Sequence, residues 1–255
     1  MTSEPAIRVL DDPDTTSRAA AEAITDALRA AVAARGRADW ATTGGSTPIG
    51  IYRALIESPL RDLVPWESVH TWWGDDRFVP RTDPLSNVLP FDEVLAPGVP
   101  AAREHAHPIA MDEALAGGHD TTWAASRYDA ELQHGGLEVG GSGFPILDVV
   151  LVGIGGDGHV LSVFPGSPLL EEYAWAIGVP APTHIEPHVA RVSLNPGILA
   201  AARLPMVVAH GAGKAAILAS VLEGTLDVQR WPAQVARRAG ATWFLDRAAA
   251  SDLSA

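Results

Sequence analysis

The chain has 255 residues, of which 47% are hydrophobic and 19% charged, and its formal net charge at pH 7 is −13. This length and composition predict one α/β domain over residues 1–255. The acidic balance argues against nucleic acid as a partner, because binding a phosphate backbone requires a basic face. The chain has no cysteine, which excludes disulfides and thiolate metal sites and agrees with a cytoplasmic protein. We expect no membrane span, since no run of about 18 apolar residues and no apolar leader appears.

Short apolar runs alternate with stretches of helical periodicity. Residues 15–35 place Ala21, Ile24, Leu28 and Val32 at helical spacing, which predicts a helix. Further strands are predicted at 39–43, 69–74, 147–154, 189–194, 205–210 and 241–245, and further helices at 49–56, 121–134, 197–203, 212–222 and 232–239. This alternation favours a parallel sheet covered by helices on both faces. A surface loop is predicted at 137–144, whereas the Pro-, Gly- and His-rich stretch 80–120 predicts no clear element.

The first candidate site is the segment ATTGGSTPIG, where a predicted strand runs into a predicted helix. Gly44, Gly45, Ser46 and Thr47 form the turn, and Pro48 suits the first position of a helix. Free backbone N–H groups at a helix start, together with two hydroxyl groups, make an anion site, so we predict that this turn binds substrate. The alternative is an ordinary turn in which Ser46 or Thr47 only caps the helix.

Cationic side chains stand near other predicted strands and helices. In HTWWGDDRFVP, Asp75 and Arg77 cluster at a strand end, and Arg77 is suited to hold an anionic group or a developing oxyanion. The alternative is a solvated loop with a local Asp–Arg ion pair. Lys214 stands near a helix start, where it opposes the helix dipole and implies an anionic partner. Arg191, in HVARVSLNPGIL, is the remaining candidate cation.

The segment DVVLVGIGGDGHVLSVFPGS ends a predicted strand in a glycine-rich turn. Gly153, Gly155 and Gly158 have the G-x-G-x-x-G spacing of a dinucleotide-binding fingerprint. A proline–glycine pair soon afterwards argues against the helix that this fingerprint needs. The favoured interpretation is that the glycines let the strand deliver His159 to its carboxyl end as a proton-transfer group oriented by Asp157. The alternative is a structural histidine in a loop.

Two histidine-containing segments are not interpreted as metal sites. HIEPH, residues 184–188, lacks the H-E-x-x-H spacing, and its proline would disrupt the helix that a zinc protease needs. His105 and His107 have no obvious third ligand. We therefore predict neither a metal nor a cofactor.

Together these segments resemble the 6-phosphogluconolactonase family of the glucosamine/galactosamine-6-phosphate isomerase superfamily, in order and over nearly the whole chain. The matching residues are Gly44-Gly45-Ser46-Thr47-Pro48, Trp73-Gly74-Asp75-Asp76-Arg77, Ser86-Asn87, Asp157-Gly158-His159, Ser162, Phe164-Pro165-Gly166, Gly211, Lys214 and Trp243-Phe244-Leu245-Asp246. The chain departs from the family pattern where Asp76 replaces the usual Glu and where Val160-Leu161 replace Thr-Ala. The resemblance implies a Rossmann-like three-layer α/β/α fold with a mostly parallel, NagB/RpiA-like sheet and no nucleotide cofactor.

The resemblance also implies hydrolysis of 6-phospho-D-glucono-1,5-lactone to 6-phospho-D-gluconate in the oxidative pentose phosphate pathway. It places the general base on His159 and substrate binding on Arg77 and Lys214. In our hypothesis His159 takes a proton from water, Asp157 orients its ring, and Arg77 stabilises the oxyanion. The expected substrate-binding residues are Gly44, Gly45, Ser46, Thr47, Asp75, Arg191 and Lys214. We expect a monomer or weak homodimer whose partner is a small phosphosugar lactone.

Other functions remain as alternatives at this point. Glucosamine-6-phosphate deaminase has a similar G-G-T-P loop and D-G-H triplet, but continues as I-A-F-N-E-P-G with a glutamate that assists ring opening. Phe164 stands at that position here and cannot exchange a proton, which favours the lactonase. The remaining alternatives are a nicotinamide oxidoreductase and a non-catalytic sugar-phosphate-binding regulator, which usually carries an appended DNA-binding or partner-binding module.

Overall fold

The computed structural model describes residues 4–45 and 47–254. Its strands are β1 (Ala6–Leu10), β2 (Ala38–Thr42), β3 (Val69–Trp73), β4 (Asp75–Arg77), β5 (Ala106–His107), β6 (Val149–Val152), β7 (Ala176–Val179), β8 (Arg191–Leu194), β9 (Leu204–Ala209) and β10 (Thr242–Asp246). Its α-helices are α1 (Pro13–Arg35), α2 (Thr47–Leu55), α3 (Leu60–Leu63), α4 (Ala96–Gly98), α5 (Met111–Ala116), α6 (Thr121–His134), α7 (Pro196–Ala201) and α8 (Ala215–Leu222). A π-helical turn covers Phe91–Leu95, and 3₁₀ helices cover Trp66–Ser68, Pro100–Arg103, Pro168–Glu171, Ala212–Lys214 and Pro232–Ala236.

The central sheet is parallel, and in the described residues its strand order is β1-β10-β9-β6-β2-β3-β5. The chain runs outward from β2 through β3 to β5, returns to β6 on the other side of β2, and continues through β9 to β10. The strand order therefore reverses between β2 and β6. At such a reversal a crevice forms beyond the carboxyl ends of the two neighbouring strands, here β2 and β6, and open α/β sheets bind their ligands in this crevice. The predicted α/β fold with a mostly parallel sheet is confirmed.

Local sequence signals fix the long first helix. The carboxylate of Asp12 accepts a hydrogen bond from N of Thr15 at 2.7 Å, and Oγ1 of Thr15 accepts one from N of Asp12 at 3.1 Å. This capping box, with Pro13 in the first turn, starts α1 earlier than the predicted position 15. Gly36 ends the helix because its φ of 74° is left-handed. The buried side of α1, which includes Ile24, packs along β1, β10, β9, β6 and β2, and α2 lies against α1.

Large aromatic side chains fill the core around the sheet. The fully buried ones include Trp40, Trp72, Trp73 and Trp243, as expected for residues of strand interiors. A buried indole N–H needs a hydrogen-bond acceptor. Nε1 of Trp73 donates to the carbonyl oxygen of Asn87 at 3.1 Å, so a core side chain fixes part of the irregular segment that follows β4.

One predicted strand lies outside the parallel sheet. The strand predicted at 189–194 is β8, which pairs antiparallel with β4 and β7 in a small second sheet. The strand β4 follows β3 after Gly74 alone, and its sequence, Asp-Asp-Arg, has no apolar pattern by which to predict a strand. The helix predicted at 232–239 is the shorter 3₁₀ helix Pro232–Ala236. Among the described residues, no helix combines the length and apolarity needed to cross a bilayer.

Candidate active site

A cleft of about 320 Å³ opens where β2, β3, β6 and β9 reach their carboxyl ends. These four strands are consecutive neighbours in the sheet, so the segments that follow them meet at one edge. The cleft wall contains most of the predicted site residues, namely Gly44, Gly45, Thr47, Asp75, Arg77, His159, Arg191 and Lys214. Asp157 is hydrogen-bonded to His159. Ser46, the remaining predicted residue, lies outside the described part of the chain.

The glycine-rich turn after β6 is built around its own histidine. N of Gly155 donates to the carbonyl oxygen of His159 at 2.9 Å, and N of Gly158 donates to that of Gly155 at 3.1 Å. A Cβ added at Gly155 would lie 2.0 Å from Nδ1 of His159 and 2.6 Å from Oδ1 of Asp157, so only glycine fits there. The residues after Gly158 form turns and an isolated bridge, where a dinucleotide fingerprint requires a helix. The spacing therefore serves the placement of the Asp–His pair.

The imidazole of His159 is oriented by a carboxylate. Its Nδ1 lies 2.6 Å from Oδ1 of Asp157, which also accepts a hydrogen bond from the backbone N of His159 at 3.1 Å. Burial raises the pKa of Asp157, but hydrogen bonds and charge from His159 and a hydrogen bond from His184 outweigh it and hold the pKa well below its ordinary value. Because an ionised carboxylate only accepts hydrogen bonds, Nδ1 carries the ring proton and Nε2 keeps its lone pair. The ring is thus arranged to accept a proton on its other side.

Two arginines face each other across the small sheet. Arg77 on β4 is the direct antiparallel partner of Arg191 on β8. Like charges in directly opposite positions repel. Arg191 is only 2% exposed, and burial is the main cause that lowers the pKa of its guanidinium, with the charge of Arg77 acting in the same direction. In both arginines Nε is buried and has no hydrogen-bond partner among the described residues. This concentration of positive charge favours a bound anion.

The guanidinium groups of Arg77 and Arg191 contact different partners. Nη1 of Arg77 donates to the carbonyl oxygen of Leu85 at 3.1 Å and to Oδ1 of Asn87. Among the described residues its guanidinium forms no ion pair with an aspartate, which was the alternative considered for this loop. Nη2 of Arg191 donates to the carbonyl oxygen of Pro187 at 3.2 Å. The guanidinium carbon of Arg191 also lies 5.0 Å from the centroid of the Phe164 ring, within cation–π range.

Asp75 is a buried carboxylate at the floor of the cleft. One oxygen accepts a hydrogen bond from Oγ of Ser162 at 2.6 Å, and the other accepts one from Nδ2 of Asn87 at 3.1 Å. Asn87 in turn lies against the turn after β2, since a Cβ added at Gly44 would be 1.8 Å from Oδ1 of Asn87. Asp75 therefore joins the segments that follow β2, β4 and β6 into one polar network.

The lysine and the turn after β2 close the rest of the cleft. Nζ of Lys214 donates to the carbonyl oxygen of Ile154 at 2.7 Å, which draws the amine toward the turn after β6. Burial lowers the pKa of Lys214, and the negative charge of Asp157 opposes that shift. The helix α2 begins at Thr47, so its positively polarised N-terminus faces the site beside Gly45.

Several side chains in or beside the cleft have no role predicted from the sequence. Asn87 and Ser162 were matched to motifs without a role. His184, in a segment considered only as a metal motif, places Nε2 2.9 Å from Oδ2 of Asp157. His210 lines the cleft directly after β9. The family motifs already contained the signal for Asn87 and Ser162, whereas no spacing in the chain connects His184 to Asp157.

The described residues form no metal centre. In residues 4–45 and 47–254, no group of three or more His, Asp or Glu side chains is placed to bind a metal ion. His70, His105 and His107 do cluster at the edge of the sheet, but they stack on one another with ring centroids 4.5 Å and 5.2 Å apart.

The chain matches a known family over most of its length. A family model described as glucosamine-6-phosphate isomerases/6-phosphogluconolactonase covers residues 11–244. The chain belongs to this family. The 6-phosphogluconolactonase of Streptomyces coelicolor is 35% identical over 257 residues, covering 99% of this chain and 96% of that protein. The 6-phosphogluconolactonase of Mycobacterium tuberculosis is 32% identical over 247 residues, covering 97% of this chain and 98% of that protein.

Solved structures of the family share the fold. The 6-phosphogluconolactonase from Trypanosoma brucei superposes with a TM-score of 0.85 at 27% identity, covering 99% of this chain and 100% of that one. The family membership expected from the sequence motifs is therefore confirmed, together with its three-layer α/β/α architecture.

Proposed function

We propose that the chain hydrolyses 6-phospho-D-glucono-1,5-lactone to 6-phospho-D-gluconate, the lactone-opening step of the oxidative pentose phosphate pathway. The observation that carries the proposal is a single cleft that joins the Asp157–His159 pair to the facing arginines Arg77 and Arg191. A base beside concentrated positive charge suits an anionic ester substrate. The relatives named 6-phosphogluconolactonase, at 35% and 32% identity over nearly the whole chain, support the same substrate.

In the proposed mechanism His159 acts as general base. Its Nε2 takes a proton from a water molecule while the water oxygen forms a bond to the lactone carbonyl carbon. Asp157 keeps the ring in the Nδ1–H tautomer and stabilises the imidazolium that forms. The protonated Nε2 then donates to the ring oxygen as the carbon–oxygen bond of the lactone breaks. Proton transfer by a positioned base contributes about 10²–10⁴-fold to the rate.

We assign the cations to the two ends of the substrate. Arg77 stabilises the oxyanion of the tetrahedral intermediate, an effect worth about 3–4 kcal/mol when a donor is already in place. The 6-phosphate lies against the turn that contains Gly44, Gly45 and Thr47, where the N-terminus of α2 favours an anion. Arg191 and Lys214 neutralise the phosphate charge.

Asp75 binds the sugar. Ser162 and Asn87 each occupy one side of its carboxylate, and an ionised carboxyl group has further lone pairs for a substrate hydroxyl. Because Asp75 is 5% exposed, it presents those lone pairs only to a ligand in the cleft.

The deamination reaction known in the same family is less compatible with this site. The position where the deaminase motif has a glutamate is occupied by Phe164, whose ring lies 4.8 Å from that of His159 and 5.0 Å from the guanidinium of Arg191. A phenyl ring cannot exchange a proton during ring opening. The aromatic side chain instead shields the base from solvent on that side.

The test is the hydrolysis of freshly prepared 6-phosphogluconolactone, measured through 6-phosphogluconate dehydrogenase with EDTA present and the spontaneous rate subtracted. We expect metal-independent turnover in the wild type. The His159→Ala variant should lose about 10²–10⁴-fold in kcat with KM changed by no more than a few fold. His134→Ala, at the exposed end of α6, is the matched control and should keep the wild-type rate. No acceleration over the blank would refute the function, and full activity in His159→Ala would refute the base assignment.

A further inference from the structure

Asp157 is shared by two histidines. Its Oδ1 lies 2.6 Å from Nδ1 of His159, and its Oδ2 lies 2.9 Å from Nε2 of His184. The second histidine comes from the segment between β7 and β8. Both oxygens of the carboxylate are therefore engaged by imidazoles, one on the cleft side and one on the solvent side.

The solvent-facing histidine differs from the other in exposure. The side chain of His184 is 49% exposed, whereas those of Asp157 and His159 are 19% and 17% exposed. His184 therefore lies over the outer edge of the carboxylate and limits its contact with water. Phe164 braces both rings, with centroids 4.8 Å from His159 and 5.5 Å from His184.

We propose that His184 is a positioning residue for the lactone hydrolysis, which holds the carboxylate of Asp157 through Oδ2 and thereby keeps the ring of His159 in its active orientation. This inference rests on the proposed function. A carboxylate held by one oxygen can rotate about its Cβ–Cγ bond, whereas a hydrogen bond to each oxygen fixes its plane. With the plane fixed, Oδ1 stays opposite Nδ1 of His159 and the ring keeps Nε2 available as the base.

Two substitutions at position 184 test the hydrogen bond to Oδ2. His184→Ala removes it, so kcat should fall about tenfold with little change in KM. His184→Gln keeps a hydrogen-bond donor at this position and should restore most of kcat. His188→Asn is the matched control on the same segment and should behave as the wild type.

A second readout does not depend on turnover. The ¹⁵N chemical shifts of His159 report which ring nitrogen carries the proton. We expect the Nδ1–H tautomer in the wild type and in His184→Gln, and a mixture of tautomers in His184→Ala. Wild-type kcat in His184→Ala, or no recovery of kcat in His184→Gln, would overturn the proposal. A wild type that fails to hydrolyse the lactone would instead refute the proposed function. In that case, unchanged ¹⁵N shifts in His184→Ala would separately refute the positioning role of His184.

Discussion

The buried environment of Asp76 disfavours ionisation of its carboxyl group. It is 1% exposed, and its Oδ1 accepts hydrogen bonds from N of Arg77 at 2.8 Å and from N of Asn87 at 2.6 Å. Burial raises its pKa to about 7, and the charge of Asp75 acts in the same direction, while the two backbone hydrogen bonds only partly oppose the shift. The native state therefore binds a proton more tightly at this carboxyl than the unfolded chain does.

This difference makes stability depend on pH in a defined direction. An acid whose folded pKa exceeds its unfolded value contributes stability that is complete below the unfolded pKa and is lost as the pH rises through the folded pKa. For Asp76 that window runs from the ordinary value of 3.8 to about 7. A separation of about three pH units corresponds to about 4 kcal/mol of unfolding free energy, a large share of the roughly 5–15 kcal/mol of a typical domain.

The substitution Asp76→Asn tests this directly. Asparagine keeps the Oδ1 acceptor for both backbone N–H groups but cannot ionise. We expect Asp76→Asn to be about 2–4 kcal/mol more stable than the wild type at pH 8.5, and the advantage should disappear near pH 4. Urea unfolding at a series of pH values measures the difference. Asp26→Asn, on the exposed face of α1, controls for the loss of one charge. A stability difference that does not vary with pH would refute the argument.

Two further predictions concern the glycine turn and the histidine cluster. A Cβ at Gly155 would lie 2.0 Å from Nδ1 of His159, so Gly155→Ala should lower kcat about 100-fold or more. Gly141→Ala, with nothing within 4 Å of the new Cβ, should keep the wild-type kcat. Equal kcat values for Gly155→Ala and Gly141→Ala would contradict the prediction. Burial, aided by a nearby arginine, lowers the pKa of His70 to about 4, so stability falls as the pH drops from 6.5 toward 4. Solvent screening of this half-buried ring limits the loss to about 1 kcal/mol. His70→Gln, which keeps a hydrogen-bonding side chain beside His107, should escape that loss in urea titrations at pH 6.5 and 4.5, and an equal loss in both proteins would be evidence against it.

Sequence periodicity predicted the parts of the sheet that are buried on both faces. The strands β2, β3, β6, β9 and β10 are short and largely apolar, and each overlaps a predicted strand. The edge strand β1 escaped prediction because most of its residues are exposed. The three-residue β4 escaped because its charged residues carry no apolar pattern. Such strands form because a neighbouring strand offers backbone partners, and local sequence does not record that neighbour.

By itself the sequence determined which segments end at a site. Glycine-rich turns follow β2 and β6, and the second turn contains Asp157 and His159. These turns are a local signal, because a tight turn needs glycine wherever it lies in the fold. Only the tertiary structure decided which of these segments meet. The register of β4 with β8 places Arg77 opposite Arg191, and a loop 27 residues away along the chain brings His184 to Asp157. These contacts depend on strand order and on pairing between distant segments, which the packing of the whole sheet fixes and no local pattern encodes.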